Sequence, residues 1–352
     1  MDTTRSAPRI SDIPRCLDIS PEDTERIWAE YNRGTPMFPE TAIRALEEQL
    51  EQGTRVVQAT DMLGKVKKIK IAPRQTVVRF LSFAEIIAEH RHTPRGFGPF
   101  HTIYLDVHNC CPNCVPPNQS ATVADCERIF EEAEKKFKES PVRKNLFSGI
   151  TDAASTSSPQ AWSKIKKIVA FGLGTLERGG DVHNAMQHVF VLALKRLLDG
   201  LKFVTPDDPD AVICYVQDPA YTESDKTVLL SKGIQVLAGN DGLFQVDSTA
   251  VVISGGPDRY PLEDLVAERS RPAMLFTSVP DEEMPMMLRW GPRAREMISQ
   301  YEDWTIDDDD ACFHGEFNLF IRHDFFPWSN KDEEADKDDN YSSEFCEADE
   351  DA

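Results

Sequence analysis

No apolar run in this chain of 352 residues approaches the roughly 20 residues that a membrane-crossing helix needs. Positive charge is also scarce, with 39 Lys and Arg against 60 Asp and Glu, a formal net charge of −21. A surface that binds DNA or RNA must neutralise phosphates, so this balance argues against nucleic acid as a direct partner. It argues equally against anionic membrane surfaces. The first segment, Met1 to Pro14, is polar and has no apolar stretch of the kind a secretory signal carries. The eight cysteines are mostly scattered and are expected to be reduced thiols, which makes cytosol or nucleus the expected compartment. There is no second Cys-x-x-Cys, no EF-hand spacing, no Gly-x-Ser-x-Gly elbow and no internal repeat.

What is present divides the chain into four parts. Residues 1–147 read as an N-terminal extension, helical with short strands. Residues 148–163, rich in Ser, Thr, Ala and Gly, read as a linker or long surface loop. Residues 164–328 read as an α/β domain. Residues 329–352 read as a disordered acidic tail, since 331–352 hold eleven acidic and two basic residues and too little apolar area to fold alone.

In the extension, Ser20-Pro21-Glu22-Asp23 predicts a helix start, with Ser20 as cap and Pro21 at the first position, and that helix should end at Gly34. A second helix should follow Pro39 and end near Gly53, burying Ile43, Leu46 and Leu50. Strands are expected at Val66–Ile71 and Thr76–Phe83. A further helix is expected from Val123 to Lys138, with Cys126, Phe130, Ala133 and Phe137 as its buried stripe and Pro141 as its stop.

The α/β part has a regular alternation. A strand ends at Phe171, and Gly172-Leu-Gly174-Thr175 follows. A long helix from Val182 to Leu198 repeats apolar residues at spacings of three and four. The second strand, Ala211–Gln217, closes in Asp218-Pro219. Thr222-Glu-Ser-Asp225 is a capping-box pattern, and its helix should stop at Gly233. Strands three to five are expected at Ile234–Leu237, Ala250–Ile253 and Ala273–Thr277, with a helix at Pro261–Glu268 between the last two. Met284–Ser299 looks helical in parts, and Phe317–Ile321 reads as a further strand. This order predicts a three-layer, Rossmann-like α/β fold with a mostly parallel sheet and helices on both faces.

Parallel sheets bind ligands beyond the carboxyl ends of their strands. The residues there are Gly172, Gly174 and Thr175 after the first strand and Asp218 after the second. Asn240 and Asp241 follow the third strand, and Ser254 and Gly255 the fourth. Glycines let a backbone approach a ligand closely, Asp218 suits ribose hydroxyls, and Asn240 or Asp241 suits an adenine amino group. Position 177 is Glu where a dinucleotide fingerprint wants its third glycine, and Glu177 and Asp181 would repel a pyrophosphate. A small nucleoside-type ligand therefore fits this pattern better than NAD. The plainer alternative is that the glycines serve only tight turns and close packing. Asp218-Pro-Ala-Tyr221 superficially resembles an amino-group methyltransferase motif but follows the wrong strand for it, and a Pro-led turn into the next helix accounts for it.

Three other features invite a metal or catalytic reading. Cys110-Cys111-Pro-Asn-Cys114, with His101, His108 and Cys126 nearby, lacks the matched second pair of a zinc site, so no metal is expected. His183 and His188 are five apart and do not share a helical face. Asp307–Asp310 reads as a solvated acidic loop.

The run Ile168-Val-Ala-Phe-Gly-Leu-Gly174 is followed by Asn184-Ala-Met-Gln187, Asp218-Pro-Ala-Tyr221 and Leu230-Ser-Lys-Gly233-Ile-Gln-Val236. In this order and spacing, Lys164 to Leu265 resembles the Sensitivity-to-Red-light-Reduced (SRR-like) domain family. Gly34-Thr-Pro36-Met-Phe38 resembles the leader of fungal-type members. The family typically reads Met-Pro-His-Cys after the fourth strand, whereas this chain has Ser254-Gly-Gly-Pro257, so chemistry resting on that His or Cys is absent. The resemblance implies a regulatory protein, non-catalytic or weakly catalytic, of a family linked to light signalling and circadian rhythm in plants and to cytoskeletal or metabolic regulation elsewhere. It names no catalytic residue and no cofactor. Its expected partners are other proteins, with a small nucleoside-type ligand as an addition. The alternatives are a methyltransferase-like enzyme using S-adenosylmethionine, and an interaction scaffold whose acidic tail recruits basic partners.

Overall fold

Short β-branched and aromatic runs that are apolar at nearly every position build the centre of the molecule. Val169, Ala170, Val251, Val252 and Leu275 are all fully buried. Such runs suit strands covered on both faces. The computed structural model describes residues 15–71, 76–88, 90–93, 97–107, 121–157, 159–176, 182–205, 208–256, 260–280, 289–306, 313 and 317–326.

The first part of the chain forms β1 (Arg15–Asp18), α1 (Pro21–Asn32), α2 (Glu40–Glu51), β2 (Val56–Thr60), β3 (Val66–Lys70), β4 (Thr76–Phe80), α3 (Phe83–Ile86), β5 (His90–Thr93) and β6 (Ile103–Val107). The second part opens with three helices, α4 (Val123–Glu139), α5 (Pro141–Thr156) and α6 (Pro159–Ser163). There follow β7 (Lys167–Phe171), α7 (His183–Lys202), β8 (Ile213–Gln217), α8 (Glu223–Ser231), β9 (Ile234–Val236), α9 (Asp241–Gln245), β10 (Ala250–Ser254), α10 (Leu262–Arg269), β11 (Met274–Thr277), α11 (Pro292–Ile298), β12 (Tyr301–Ile306) and β13 (Phe317–Arg322).

Seven strands form one sheet in the order β12-β13-β11-β10-β7-β8-β9. The five from β11 to β9 run parallel, and β13 runs antiparallel to both β11 and β12. In chain order the parallel strands stand 3-2-1-4-5, so the crossovers reverse direction between β7 and β10. Alternate residues face opposite layers. Ile168, Ala170, Val251 and Ile253 join α4, α5 and α7 on one side, while Val169, Phe171 and Val252 join α10 and α11 on the other. The sheet is thus mixed, mostly parallel and flanked by helices.

Local sequence explains most element ends. Ser20 accepts the Asp23 N–H at 3.1 Å and starts α1. Capping boxes start α4 at Thr122 and α8 at Thr222. The predicted strand from Thr76 to Phe83 stops at Phe80, because Ser82 and Glu85 form a capping box that opens α3.

Of residues 148–163, expected as a linker or loop, 148–156 complete α5 and Pro159–Ser163 form α6 instead. Ser140 caps α5 and Pro141 takes its first turn, where a missing N–H costs nothing. The hydroxyls that suggested a loop bond back to carbonyls within the helix: Ser148 Oγ donates to Asn145 C=O at 3.2 Å and Ser155 Oγ to Asp152 C=O at 2.7 Å. Ile150, Ala153, Ala161 and Trp162 are buried in the main core and outweigh the weak local propensity. Strands β1, β2, β5 and β12 escape a sequence reading, β12 because Glu302 and Asp303 interrupt its alternation at the sheet edge. The helical expectation for 284–299 is met at Pro292–Ile298, while 281–288 lie outside the described residues, as does the acidic segment from 327 onward.

The N-terminal part packs on the α/β core. Its own apolar cluster, from Ile27 to Leu105, takes in Leu243 and Leu265 of the core. Helix α10 presents Asp264 and Glu268, four apart and so on one face, toward it. Asp264 accepts the N–H groups of Phe83 at 2.9 Å and Gly291 at 2.7 Å. Burial pushes its carboxyl up to about 7 despite those bonds. Glu268 accepts the N–H groups of Met37 at 2.8 Å and Phe38 at 2.9 Å, and pairs with Arg293. The Arg293 guanidinium lies over the Tyr31 ring at 3.9 Å.

Two outcomes follow from these contacts. Glu268→Ala leaves two backbone donors and a guanidinium without their acceptor, so unfolding in urea should show a loss of about 2–4 kcal/mol. Amide exchange at Met37 and Phe38 should rise in the same variant, and unchanged exchange there would show that Glu268 does not hold this seam. Phe203, just past α7, has a left-handed backbone (φ 57°) and is 96% exposed, so nothing offsets its strain. Phe203→Gly should therefore raise stability by about 1 kcal/mol, and a loss would refute the strain.

Candidate functional site

The residues expected to greet a ligand lie at the carboxyl edge of the sheet, where the fold turns most of them toward one another. Gly172 and Gly174 both have left-handed backbones, with φ of 69° and 72°. The Gly172 N–H donates to Gln217 C=O at 3.0 Å, and the Gly255 N–H to Phe171 C=O at 2.8 Å, so β8, β7 and β10 stay bonded to their last residues. Beyond them Asp218 folds back. Its Oδ2 accepts the Gly174 N–H at 2.8 Å and its Oδ1 the Ala220 N–H at 2.8 Å. A Cβ at Gly174 would lie 2.4 Å from Asn184 Nδ2, so this glycine admits the first turn of α7.

A second carboxylate anchors the same loop from below. Asp225, fully buried, accepts Thr175 Oγ1 at 2.7 Å and the Leu176 N–H at 3.0 Å. It also accepts the Thr222 N–H at 2.7 Å as the last member of the α8 capping box. Beside it, His188 Nδ1 lies 2.7 Å from Asn184 C=O and Nε2 lies 2.8 Å from Tyr221 Oη. A carbonyl can only accept, which puts the ring proton on Nδ1 and leaves Nε2 to accept the Tyr221 hydroxyl. Burial pushes His188 down to about 4 and Tyr221 well above its ordinary value. The pair is a neutral brace between α7 and the turn after β8.

The loop after β9 is held from outside the α/β part. Glu47 Oε1, from α2, accepts both the N–H and the Nδ2–H of Asn240 at 2.7 Å. Tyr260 Oη donates to Asn240 Oδ1 at 3.2 Å, so both ends of that side-chain amide are engaged. The Gly242 N–H donates to Gln217 Oε1 at 2.7 Å, and a Cβ there would meet that oxygen at 2.7 Å. Asp241 opens α9 and is exposed. Burial raises the Glu47 carboxyl above its ordinary range.

At the reversal between β7 and β10, where an open sheet of this order has its crevice, a Cβ on Gly255 would lie 2.8 Å from Leu173 Cδ2 and 2.9 Å from Gly172 C=O. Side chains of the adjoining loop fill this space. Ser254 hydrogen-bonds the Glu263 carboxyl, which also accepts Thr277 Oγ1 at 2.6 Å and is pushed up by burial. A groove of about 390 Å³ lies instead in the N-terminal part, between Pro36, Pro39 and Ala42 on one side and Thr60 and Met62 on the other.

The structure thus brings Gly174, Thr175 and Asp218 together, sets Gly255 against Gly172, and ties Asn240 to a helix 193 residues earlier in the chain. Sequence reasoning missed Glu47, Gln217, His188 and Tyr221 as members of this edge. Asp225 was legible as a capping residue, but not as the acceptor of Thr175 and Leu176. Cys110, Cys111, Cys114 and His108 lie outside the described residues, as do Glu177, Asp181 and Asp307–Asp310. Cys126 is buried in α4 beside Asp225, and among the described residues no three His, Cys, Asp or Glu side chains are placed to hold a metal. Among the same residues no helix is long and apolar enough to cross a membrane.

A mixed α/β chain whose parallel strands run 3-2-1-4-5, with glycine turns and an Asp-Pro strand end at the carboxyl edge, is thereby defined. Residues 130–282 match the family model of the SRR1 domain. The match begins inside α4, includes α5 and α6, and ends after β11. Neither a search of curated proteins nor one of solved structures finds a match to the chain.

The His188–Tyr221 brace has a checkable signature. The ring proton resonances of His188 should show no midpoint above about pH 5, and a midpoint near 6.5 would mean that water reaches the ring. Below pH 6.5 the unfolded chain takes up a proton here that the folded chain refuses. The stability contribution of His188 is therefore complete above 6.5 and is lost as pH falls toward 4. Tyr221→Phe should cost about 1–2 kcal/mol at pH 7, because it leaves Nε2 without a donor.

Proposed function

We propose that this chain is a regulatory protein of the SRR-like type that works by binding other proteins in the cytosol or nucleus, without turnover of a substrate. One observation carries this reading. The polar groups that an open α/β site would offer to a ligand are engaged within the fold: Asp218 with Gly174 and Ala220, and Asn240 with Glu47 and Tyr260. A nucleoside-type ligand would have to displace Glu47 from Asn240, or the Gly174 N–H from Asp218, and break charge-assisted bonds to do so. The substitution of Ser254-Gly255-Gly256 for the His- and Cys-bearing segment of the family agrees with a non-catalytic role.

A methyltransferase-like enzyme using S-adenosylmethionine is the second reading. It is favoured by the three-layer, Rossmann-like order of the parallel strands, in which the loops carrying Gly172 and Gly255 meet at the reversal point.

Thermal unfolding with S-adenosylmethionine, its demethylated product, NAD and ATP separates the two. A ligand at 100 times its Kd adds ~2.7 kcal/mol of stability. The expected outcome is no shift with any of the four. A shift with S-adenosylmethionine that vanishes in a folded Asp218→Ala variant would overturn the non-catalytic reading in favour of the enzyme.

A further inference from the structure

In a chain with a net charge of −21, the hairpin β2–β3 and its flanks are an exception. Arg55, Lys65, Lys67, Lys68 and Lys70 are all exposed, and Asp61 is the one acidic residue among 55–71. That carboxylate is buried in the turn, where it accepts the N–H groups of Leu63 at 3.0 Å and Lys65 at 2.8 Å. None of the five cations forms an ion pair with a described residue, whereas Arg44, Lys166, Lys167, Lys195, Arg269, Arg293 and Arg322 all do. The cross-strand register sets Val56 opposite Lys70, Gln58 opposite Lys68 and Thr60 opposite Val66 on the outer face. Val56 and Val66 are there 47% and 55% exposed, while Val57, Ala59 and Ile69 on the other row are buried. The hairpin pairs with no third strand among the described residues. Lys68 and Lys70 thus share the outer face with two apolar patches, and Lys67, opposite Ala59 on the other row, is exposed as well.

The sequence holds a complementary segment. Beyond Phe326 it continues for 26 residues, of which 331–352 carry eleven acidic and two basic side chains, with Tyr341 and Phe345 among them. Those 26 residues can reach ~85 Å when extended. A folded chain of this length is about 50 Å across, so the segment can reach any face.

We propose that the outer face of the β2–β3 hairpin is the intramolecular docking site of the acidic C-terminal segment, residues 332–351. The lysines meet its carboxylates, and Val56 and Val66 meet its aromatic side chains. Lysine on an edge strand also serves to deter stray strand pairing. That simpler role needs no fixed partner, and docking does, which gives the test its contrast. Single exposed ion pairs are weak and screened by salt, so docking requires several lysines together and fails at high ionic strength. The proposal stands whether or not the SRR1 domain is catalytic.

Carbodiimide joins a lysine to a carboxylate only when the two touch. Applied to the full chain at low ionic strength, it should link Lys67, Lys68 or Lys70 to acidic residues of 332–351 in monomeric protein. The links should be lost in 1 M NaCl, where the Debye length is about 3 Å. They should also be lost in the full chain carrying Lys67→Glu, Lys68→Glu and Lys70→Glu, whose unfolding midpoint should match the parent because all three side chains are exposed and none forms an ion pair with a described residue. Links confined to a dimeric species, links spread over all surface lysines, or no links at all would each overturn the proposal. A heparin column gives a second measurement. The full chain with its acidic residues at 332–351 changed to Asn or Gln should be retained more strongly, and the three Lys→Glu changes should abolish the gain. A gain that persists in that background would also overturn it, and equal retention of parent and neutralised chains would mark the hairpin as an open polyanion site.

Discussion

Carboxylates that accept main-chain N–H groups from distant segments hold this fold in its shape. Asp264 and Glu268 of α10 bind Phe83, Met37 and Phe38, Asp218 binds Gly174, Asp225 binds Leu176, and Glu47 binds Asn240. Taking a carboxylate out of water is costly, which is why burial raises Glu47, Asp264 and Glu268 above the ordinary carboxylate range. Charge-assisted bonds to backbone donors offset that cost and fix direction at the same time. An acidic chain has many such groups to use. Here they serve as joints between elements that the sequence places far apart.

The same joints decide what the carboxyl edge of the sheet can do. In an open α/β sheet, loops at that edge are available because their polar groups face the crevice. In this chain the groups face each other. Leu173 and Gly255 close the space between β7 and β10, Asp218 secures the glycine turn, and α2 reaches across to the loop after β9. The neutral His188–Tyr221 pair adds a contact that does not change with pH near neutrality. Under the regulatory role proposed above, an edge braced this way would serve as a stable surface for partners. The N-terminal part takes part in the brace and does not stand apart from it.

Several features were legible because they depend on neighbours in sequence. The capping pair Thr222–Asp225, the apolar stripe of α4 and the strand ends at Phe171 and Gln217 all lie within a few residues of their cause. The Asp218-Pro219 turn into α8 was legible for the same reason. The helix through residues 148–156 was not, since Ser and Thr there favour loops locally and only the burial of Ile150 and Ala153 makes them helical. Glu47 gave no signal at all. On α2 it reads as one more solvent-facing acid, and its partner Asn240 lies 193 residues away.

The sequence by itself determined the alternation of strands and helices, the parallel sheet it implies, the SRR-like pattern from Ile168 to Val236, and the excess of negative charge. These follow from periodicity, chain direction and composition, which are local or additive. Tertiary structure decided which way Asp218, Asn240 and Asp225 point, that the glycines admit neighbouring side chains, and that Lys68 and Lys70 share one face with Val56 and Val66. Those outcomes depend on which distant donors reach a carboxylate once the core has closed, and no run of adjacent residues records that.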